Sequence, residues 1–374
     1  MSTTTPSAGP RAGSGPSLST AQGVWLVAER EIGSKLRSKA FVISTAILLL
    51  GALALVIWAG FAASDESGAP VAVTSDASAY VEDVPGLDVT EVADRAEAEA
   101  LVTEGTVDAA IIADPASPTG FTLIGESDVS SSLLLMLGQT PTVELLDPEA
   151  TAWALAYIAA IGFGVVFLMA ASLFGGTIAQ SVVEEKQTRV VELLLSAIPV
   201  RTLLAGKVIG NTILAMAQIL LLSAIAIIGL TVTGQTELLQ GLGTPIAWFA
   251  VFFLFGFVLL ASLFAAAASM VSRQEDIGST TTPLTMLIMA PYFLVIFFFD
   301  NPVVLGIMSY VPFSAPIGMP MRIFLGEAQW WEPLLSLAIL IATCIAAIWV
   351  GARIYENSLL RMGARVKLRE ALAG

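Results

Sequence analysis

The run AFVISTAILLLGALALVIWAGF, residues 40–61, decides how the rest of the chain is read. It holds 22 residues without a charge, and as a helix it reaches about 33 Å, enough to cross the roughly 30 Å hydrocarbon core of a bilayer. It is longer than the about 7–15 apolar residues of a secretory signal, so it reads as an uncleaved anchor. Comparable runs follow at Ala152–Ile178, Leu203–Val232, Pro245–Val271, Pro283–Phe299 and Leu334–Ala352. The composition agrees: 374 residues are 56% hydrophobic and 13% charged, with a mean hydropathy of +0.83, where soluble chains carry about 25% charge. The expected fold class is a polytopic α-helical membrane protein with six transmembrane helices.

Orientation follows from Lys and Arg, which concentrate on the cytoplasmic side. With both termini inside, only Arg95 and Arg322 of the 17 basic residues fall outside. A multi-pass protein of a bacterial or archaeal plasma membrane, with both termini cytoplasmic, is expected. Acidity is confined to one region: residues 64–150 hold eighteen Asp and Glu against Arg95 alone. Runs at Val71–Val73, Val107–Ile112 and Gly120–Ile124 read as strands around a helical Val92–Glu104. Residues 62–151 are therefore expected to form a small extracytoplasmic α/β domain between the first and second spans. Asp65, Glu66, Glu82 and Asp83 form two acidic pairs there, which solubility and repulsion from anionic headgroups explain without a binding site.

The flanks are less apolar. Residues 1–20 are rich in Ser, Thr, Pro and Gly and read as a disordered tail. Residues 21–39 place Trp25, Leu26, Ile32 and Leu36 at helical spacing among Arg30, Lys35, Arg37 and Lys39. This suits either a cytoplasmic amphipathic helix on the bilayer surface or a solvated basic flank. Within the five-helix region 152–352, residues 301–333 are interrupted by Pro302, Pro312, Pro316 and Pro320 and read as a re-entrant segment. Residues 353–374 read as a basic cytoplasmic tail.

Several chemistries are excluded. The chain has no histidine, which removes imidazole metal sites and the serine triad. The single cysteine, Cys344, permits neither an internal disulfide nor a thiolate cluster. A P-loop needs Gly, four residues, then Gly-Lys-Ser/Thr; the one Gly-Lys, Gly206-Lys207, is followed by Val208 and preceded at the glycine position by Arg201. No catalytic residue, metal site or nucleic-acid partner is expected. The span cores are read as free of charge, which disfavours proton relays. Gln180, Asn211 and Gln218 are the notable polar residues, either lining a path or bonding between helices. Gly162, Gly164, Ala170, Gly175 and Gly176 would allow close packing, as at a dimer interface.

The segment VVEEKQTRVVELLLSAIPVRTLLAGKV, residues 182–208, carries the functional reading. Glu185 and Arg189 form an i,i+4 pair, Glu192 follows at i+3, and Leu193, Leu194 and Leu195 make the far end apolar before Pro199 stops the helix. Either a connecting helix or a rod for a partner's groove fits this pattern. EEKQTRVVELLLSAIP with LLAGK resembles the cytoplasmic coupling segment, here 182–202, of type-2 ABC exporter permeases, specifically the NatB-like branch of sodium exporter permeases. The resemblance extends to EIGSKLRSKAFVIST, SLFGGTIAQSVVEEK, YVPFSAPIGMPMRI and ARIYENSLLRMGARVKL, and is weakest through residues 62–151. The commoner type-2 pattern has Gly-Thr at Arg189 and Val190 and reaches its proline one residue sooner.

The resemblance implies a permease subunit working with a separate cytoplasmic ABC ATPase, which binds the ATP and Mg; this chain would bind no cofactor. Glu184, Glu185, Lys186, Arg189 and Glu192 would face the ATPase, with Leu193 and Leu194 packing beneath the bilayer, and a second inner loop at Ser272–Ser279 would be an auxiliary contact. A second permease copy would complete a dimer exporting a cation such as sodium or a small hydrophobic or toxic compound. The competing readings are an ATP-independent secondary carrier and a membrane-anchored envelope sensor or scaffold.

Overall fold

The computed structural model describes residues 19–62, 69–81, 84, 86–127, 129–137, 142–146, 148–188, 190–232, 236–359, 361 and 366–373. The tail expected over 1–20 lies outside them save its last two positions, the cap and first residue of a helix, and the acidic pairs Asp65/Glu66 and Glu82/Asp83 lie outside them altogether. Helix α1, Thr20–Arg37, starts on a capping box: the Ser19 hydroxyl accepts from the Gln22 backbone N–H while the Gln22 side chain accepts from that of Ser19. Lys35 and Arg37 occupy its last turn, where the negative end of the helix dipole favours cations. The chain then bends by 73° into α2, Lys39–Ala62.

A five-stranded sheet lies between α2 and the next long helix. Its strands are β1 (Ala69–Thr74), β2 (Leu87–Val92), β3 (Ala109–Ala113), β4 (Phe121–Gly125) and β5 (Thr142–Leu145), in the order β2-β1-β3-β4-β5. Only the β3–β4 pair is antiparallel. The period-2 pleat sends Val71, Val73, Ala109, Ile111, Phe121 and Leu123 to one face and Ala72, Ala110, Ile112 and Ile124 to the other. Helix α3 (Arg95–Thr103) covers the second face with Ala98 and Val102; α4 (Ser131–Met136) brings Leu133 to the first. Burial on both faces explains why β3 reads as a continuous AAIIA. The outer strands β2 and β5 escape the sequence reading because edge strands expose most side chains, as in LDVTEV.

The remaining helices are α5 (Pro148–Gln187), α6 (Val190–Ala197), α7 (Val200–Val232), α8 (Thr236–Ser269), α9 (Ile277–Phe297), α10 (Pro302–Met308), α11 (Ala315–Phe324), α12 (Glu332–Leu359) and α13 (Leu368–Ala373). Five of them, α5, α7, α8, α9 and α12, are long and apolar enough to cross a membrane, and the bent α1–α2 pair supplies a sixth candidate. Helix α8 sits at the centre. Its Phe249, Phe253 and Phe257, four residues apart and so on one face, meet Phe163, Phe167 and Phe174 of α5 ring to ring. Two of the α5 glycines face other helices of this chain rather than a second copy: a side chain at Gly164 would collide with Tyr292 and one at Gly175 with Phe264, whereas Gly162 and Gly176 face open space.

Between α9 and α12 two of the prolines start helices, Pro312 lies in a turn and Pro320 sits inside α11. Asn301 caps α10 with Pro302 in its first turn, and Pro316 lies in the first turn of α11. Arg322 of α11 pairs with Glu332 at the start of α12 at 3.0 Å, and the Tyr310 hydroxyl donates to the same carboxylate. The basic tail expected from residue 353 is not separate from the bundle. Helix α12 runs to Leu359, and Arg353 and Asn357 donate to carbonyls of α13, folding the C-terminal segment back onto it.

Candidate functional site

The segment expected to couple is a sharp corner. Helix α5 runs without a break from Pro148 to Gln187, so the EEK sequence is its last turn; α6 follows, and Pro199 separates α6 from α7. Of the residues expected to face a partner, Glu184, Glu192 and Leu193 are exposed and Leu194 is half-buried. Arg189 lies outside the described residues. Glu185 and Lys186 turn the other way: they are 6% and 0% exposed, with their charged groups inside the protein. The physical reason is helical geometry. Three consecutive charges cannot share a face at about 100° per residue, so while Glu184 reaches outward its two neighbours point into the bundle.

Glu185 joins a buried ionic cluster. Lys207, in the second turn of α7 and wholly buried, directs its Nζ to Glu31 Oε1 of α1 at 2.8 Å, to Glu185 Oε2 at 3.0 Å and to Ser181 Oγ at 2.6 Å. Two of these, to Glu31 and Ser181, are hydrogen bonds from the ammonium, which has three hydrogens to give. Arg30 reaches the other Glu185 oxygen at 3.1 Å. The two Glu185 contacts are charge contacts without hydrogen-bond alignment. Two cations thus face two carboxylates, the balance that buried charge requires. The expectation that the span cores carry no charge is corrected here: Lys207 lies inside the apolar run 203–232, and its counterions arrive from α1 and α5.

Close backbone approach makes the cluster possible. A Cβ on Gly210 would stand 2.9 Å from the Ala28 carbonyl oxygen and 3.0 Å from Glu31 Cβ, and one on Gly206 would overlap Val27. The small residues of α7 therefore let α1 lie directly against it, with Val27, Ala28 and Glu31 buried while Trp25, Leu26 and Leu36 stay exposed. Beside the cluster a cavity of about 380 Å³ opens between α1 and the end of α5, lined by Arg30, Glu31, Lys35, Gln180, Ser181 and Glu184 among others.

Lys186 makes a different contact. Its Nζ donates to the Ser269 carbonyl at 2.7 Å and the Ser358 carbonyl at 2.9 Å. Ser269 is the last residue of α8 and Ser358 the penultimate residue of α12. Carbonyls at helix C-termini lack intrahelical partners and carry the negative end of the dipole. They replace a carboxylate as counter-charge.

Among the described residues Asn211 and Gln218 of α7 make no hydrogen bond to another helix. Asn211 is fully buried and its Nδ2 donates to the Lys207 carbonyl of its own helix, while Asn211 Oδ1 and Gln218 Oε1 have no hydrogen-bond partner among the described residues. Gln180 is exposed. Among the described residues no group of three or more His, Cys, Asp or Glu is arranged to hold a metal. Sequence reading missed Glu31 and Lys207. Their signal was present as a lone acid on the buried stripe Val27-Ala28-Glu31 and a lone lysine within an apolar run.

Comparison with known proteins gives a family. A profile described as "ABC-2 family transporter protein" matches residues 39–353. The chain is 28% identical over 203 residues to the uncharacterized protein YhaP of Bacillus subtilis, covering 51% of this chain and 48% of that one. It is 28% identical over 217 residues to the uncharacterized protein MJ1024 of Methanocaldococcus jannaschii, covering 57% and 52%. The matches thus span about half the length of these relatives. No solved structure matches.

Proposed function

The chain belongs to the ABC-2 transporter family, and from that premise we propose that it is the membrane subunit of an ATP-driven exporter whose hydrolysis is carried out by a separate cytoplasmic ATPase. Permeases of this family normally work with such a subunit. The observation that carries the reading is the α5–α6–α7 corner: an eight-residue helix held between two long spans, with Glu192 and Leu193 exposed beside Glu184. A helix with an exposed acid and an exposed leucine is suited to a partner's cleft. Glu184, Glu192, Leu193 and Leu194, with Arg189, would form the ATPase contact; Glu185 and Lys186 would act behind it. The family resemblance to the NatB-like branch points to export of sodium or a small hydrophobic or toxic compound by a dimer. Both termini would be cytoplasmic, and the sheet of residues 69–145 would stand outside.

The buried Glu31–Lys207–Glu185 cluster is the one feature that suits a secondary carrier, since buried ionisable groups mark proton or ion relays. Against this, each charge already has an opposite charge within 3.1 Å, and Lys207 stands eight positions into α7 rather than halfway along it.

Affinity purification in mild detergent tests the proposal. An ATPase subunit should accompany the wild type and be lost with Glu192→Arg or Leu193→Asp, both exposed positions that leave the fold intact. Co-purification unchanged by both substitutions would overturn the assignment of α6. Uptake by vesicles holding this chain alone, without nucleotide, would establish the carrier.

A further inference from the structure

Glu185 and Lys186 are neighbours in sequence, yet they are anchored in different parts of the bundle. Glu185 contacts Lys207 of α7 and Arg30 of α1, and through Lys207 it is tied to Glu31. Lys186 holds the inner ends of α8 and α12 by two carbonyls. Both side chains leave the last turn of α5, immediately before α6. We propose that these two residues are a positioning pair that divides a displacement of α6 into two arms, Glu185 passing it to α1 and α7 and Lys186 passing it to α8 and α12. This rests on the reading of α6 as the ATPase contact and goes beyond it, by assigning a separate route to each helix pair.

The geometry favours separate arms. The contacts of Glu185 are ionic, without hydrogen-bond alignment, and run to the ends of two long side chains, Lys207 and Arg30, so that arm depends less on exact geometry. The contacts of Lys186 are short hydrogen bonds to main-chain oxygens. They fix the position of two helix ends directly, and movement of the α5 terminus must carry those ends with it or break both bonds. Lys186 makes no salt bridge among the described residues, so leaving those carbonyls would strip a buried ammonium of its partners, at a cost that favours keeping both bonds. Helix α7 also packs along α8, so the arms are told apart by their polar anchors on α5 and not by a gap between the helices. The Arg201–Glu356 pair, between the first turn of α7 and α12, lies at the surface and is exposed on the arginine side, where an ion pair is weak.

The test uses the permease with its ATPase in lipid nanodiscs, with hydrogen exchange measured nucleotide-free and after trapping with ATP and vanadate. In the wild type, trapping should change exchange both in residues 20–37 and at the inner ends of α8 and α12. With Lys186→Met the response of α8 and α12 should be lost and that of residues 20–37 kept; with Glu185→Gln the pattern should reverse. If Lys186→Met does not fold, Lys186→Gln, which keeps a shorter donor, should reduce the same response. Identical responses in the two variants, or loss of both segments together in either, would overturn the division into arms while leaving the coupling reading standing. A wild type that associates with no ATPase would overturn the coupling reading, and this inference with it.

Discussion

Lys207 Nζ and Glu31 Oε1 lie 2.8 Å apart although 176 positions separate them in the chain. This contact fastens one face of α1 to the bundle at a point where both partners are buried, while Trp25, Leu26 and Leu36 on its other side stay exposed. Removing one member of a buried pair leaves the other charge uncompensated, at a cost of about 3–5 kcal/mol. Lys207→Met is expected to lower stability by that order. Adding Glu31→Gln to it should recover part of the loss, because the double variant buries one charge fewer. Thermal unfolding in detergent of the two single variants and the double variant measures the coupling.

The same interface depends on absent side chains. Gly206→Leu places atoms where Val27 stands and Gly210→Leu places them against the Ala28 carbonyl, so either should displace α1 from α7. Overpacking of this kind costs about 1–3 kcal/mol. Faster tryptic cleavage at Arg30 and Lys35 would report the displacement; cleavage at the wild-type rate would show that α1 tolerates the bulk.

A second buried pair organises the proline-rich segment. Arg322 and Glu332 bond at 3.0 Å with Tyr310 on the same carboxylate, and the side chains are only 11% exposed. Arg322→Met should cost about 1–3 kcal/mol, the price of a charged hydrogen-bond partner left unmet. Glu332→Leu in the same chain should restore most of it. Hydrogen exchange across residues 301–331 would reveal the loosening.

In the sheet, Asp114 accepts from the backbone N–H of Ala116 and the hydroxyl of Thr122, which hold its carboxyl below the usual aspartate range. A folded value below the unfolded one means that this contribution is complete above the ordinary aspartate value and is lost as pH falls through the folded value. The difference in melting temperature between wild type and Asp114→Asn should therefore be largest near pH 7 and shrink below about pH 4. A difference independent of pH would assign the effect to shape alone.

What the sequence disclosed, and what it withheld, follows from the range of the interactions involved. Apolar runs such as 203–232 declare themselves locally because a bilayer imposes the same solvent on every turn, and α7 begins within three residues of the run that marked it. The corner at Pro199 was legible because a proline ends a helix wherever it stands in the interior of one. The orientation of Glu185 and Lys186 was not. Their charges suit an exposed loop, and only the arrival of Arg30 and Lys207 for one and of two helix ends for the other gives them a reason to be buried. An i,i+4 partner for Glu185 was visible along the helix; the partners it has come from 155 residues earlier and 22 later. The strands β2 and β5 show the same limit: a sheet's edge takes its register from its neighbour, and its own residues need not be apolar.

Helix α5 begins three residues after β5 and ends where α6 starts, 40 residues on. At 1.5 Å per residue it is about 60 Å long, twice the thickness of the hydrocarbon it crosses. The sheet and the corner therefore sit at opposite ends of one lever with no joint between them. On the proposed reading of α6, a push there would be carried along one unbroken helix toward the sheet.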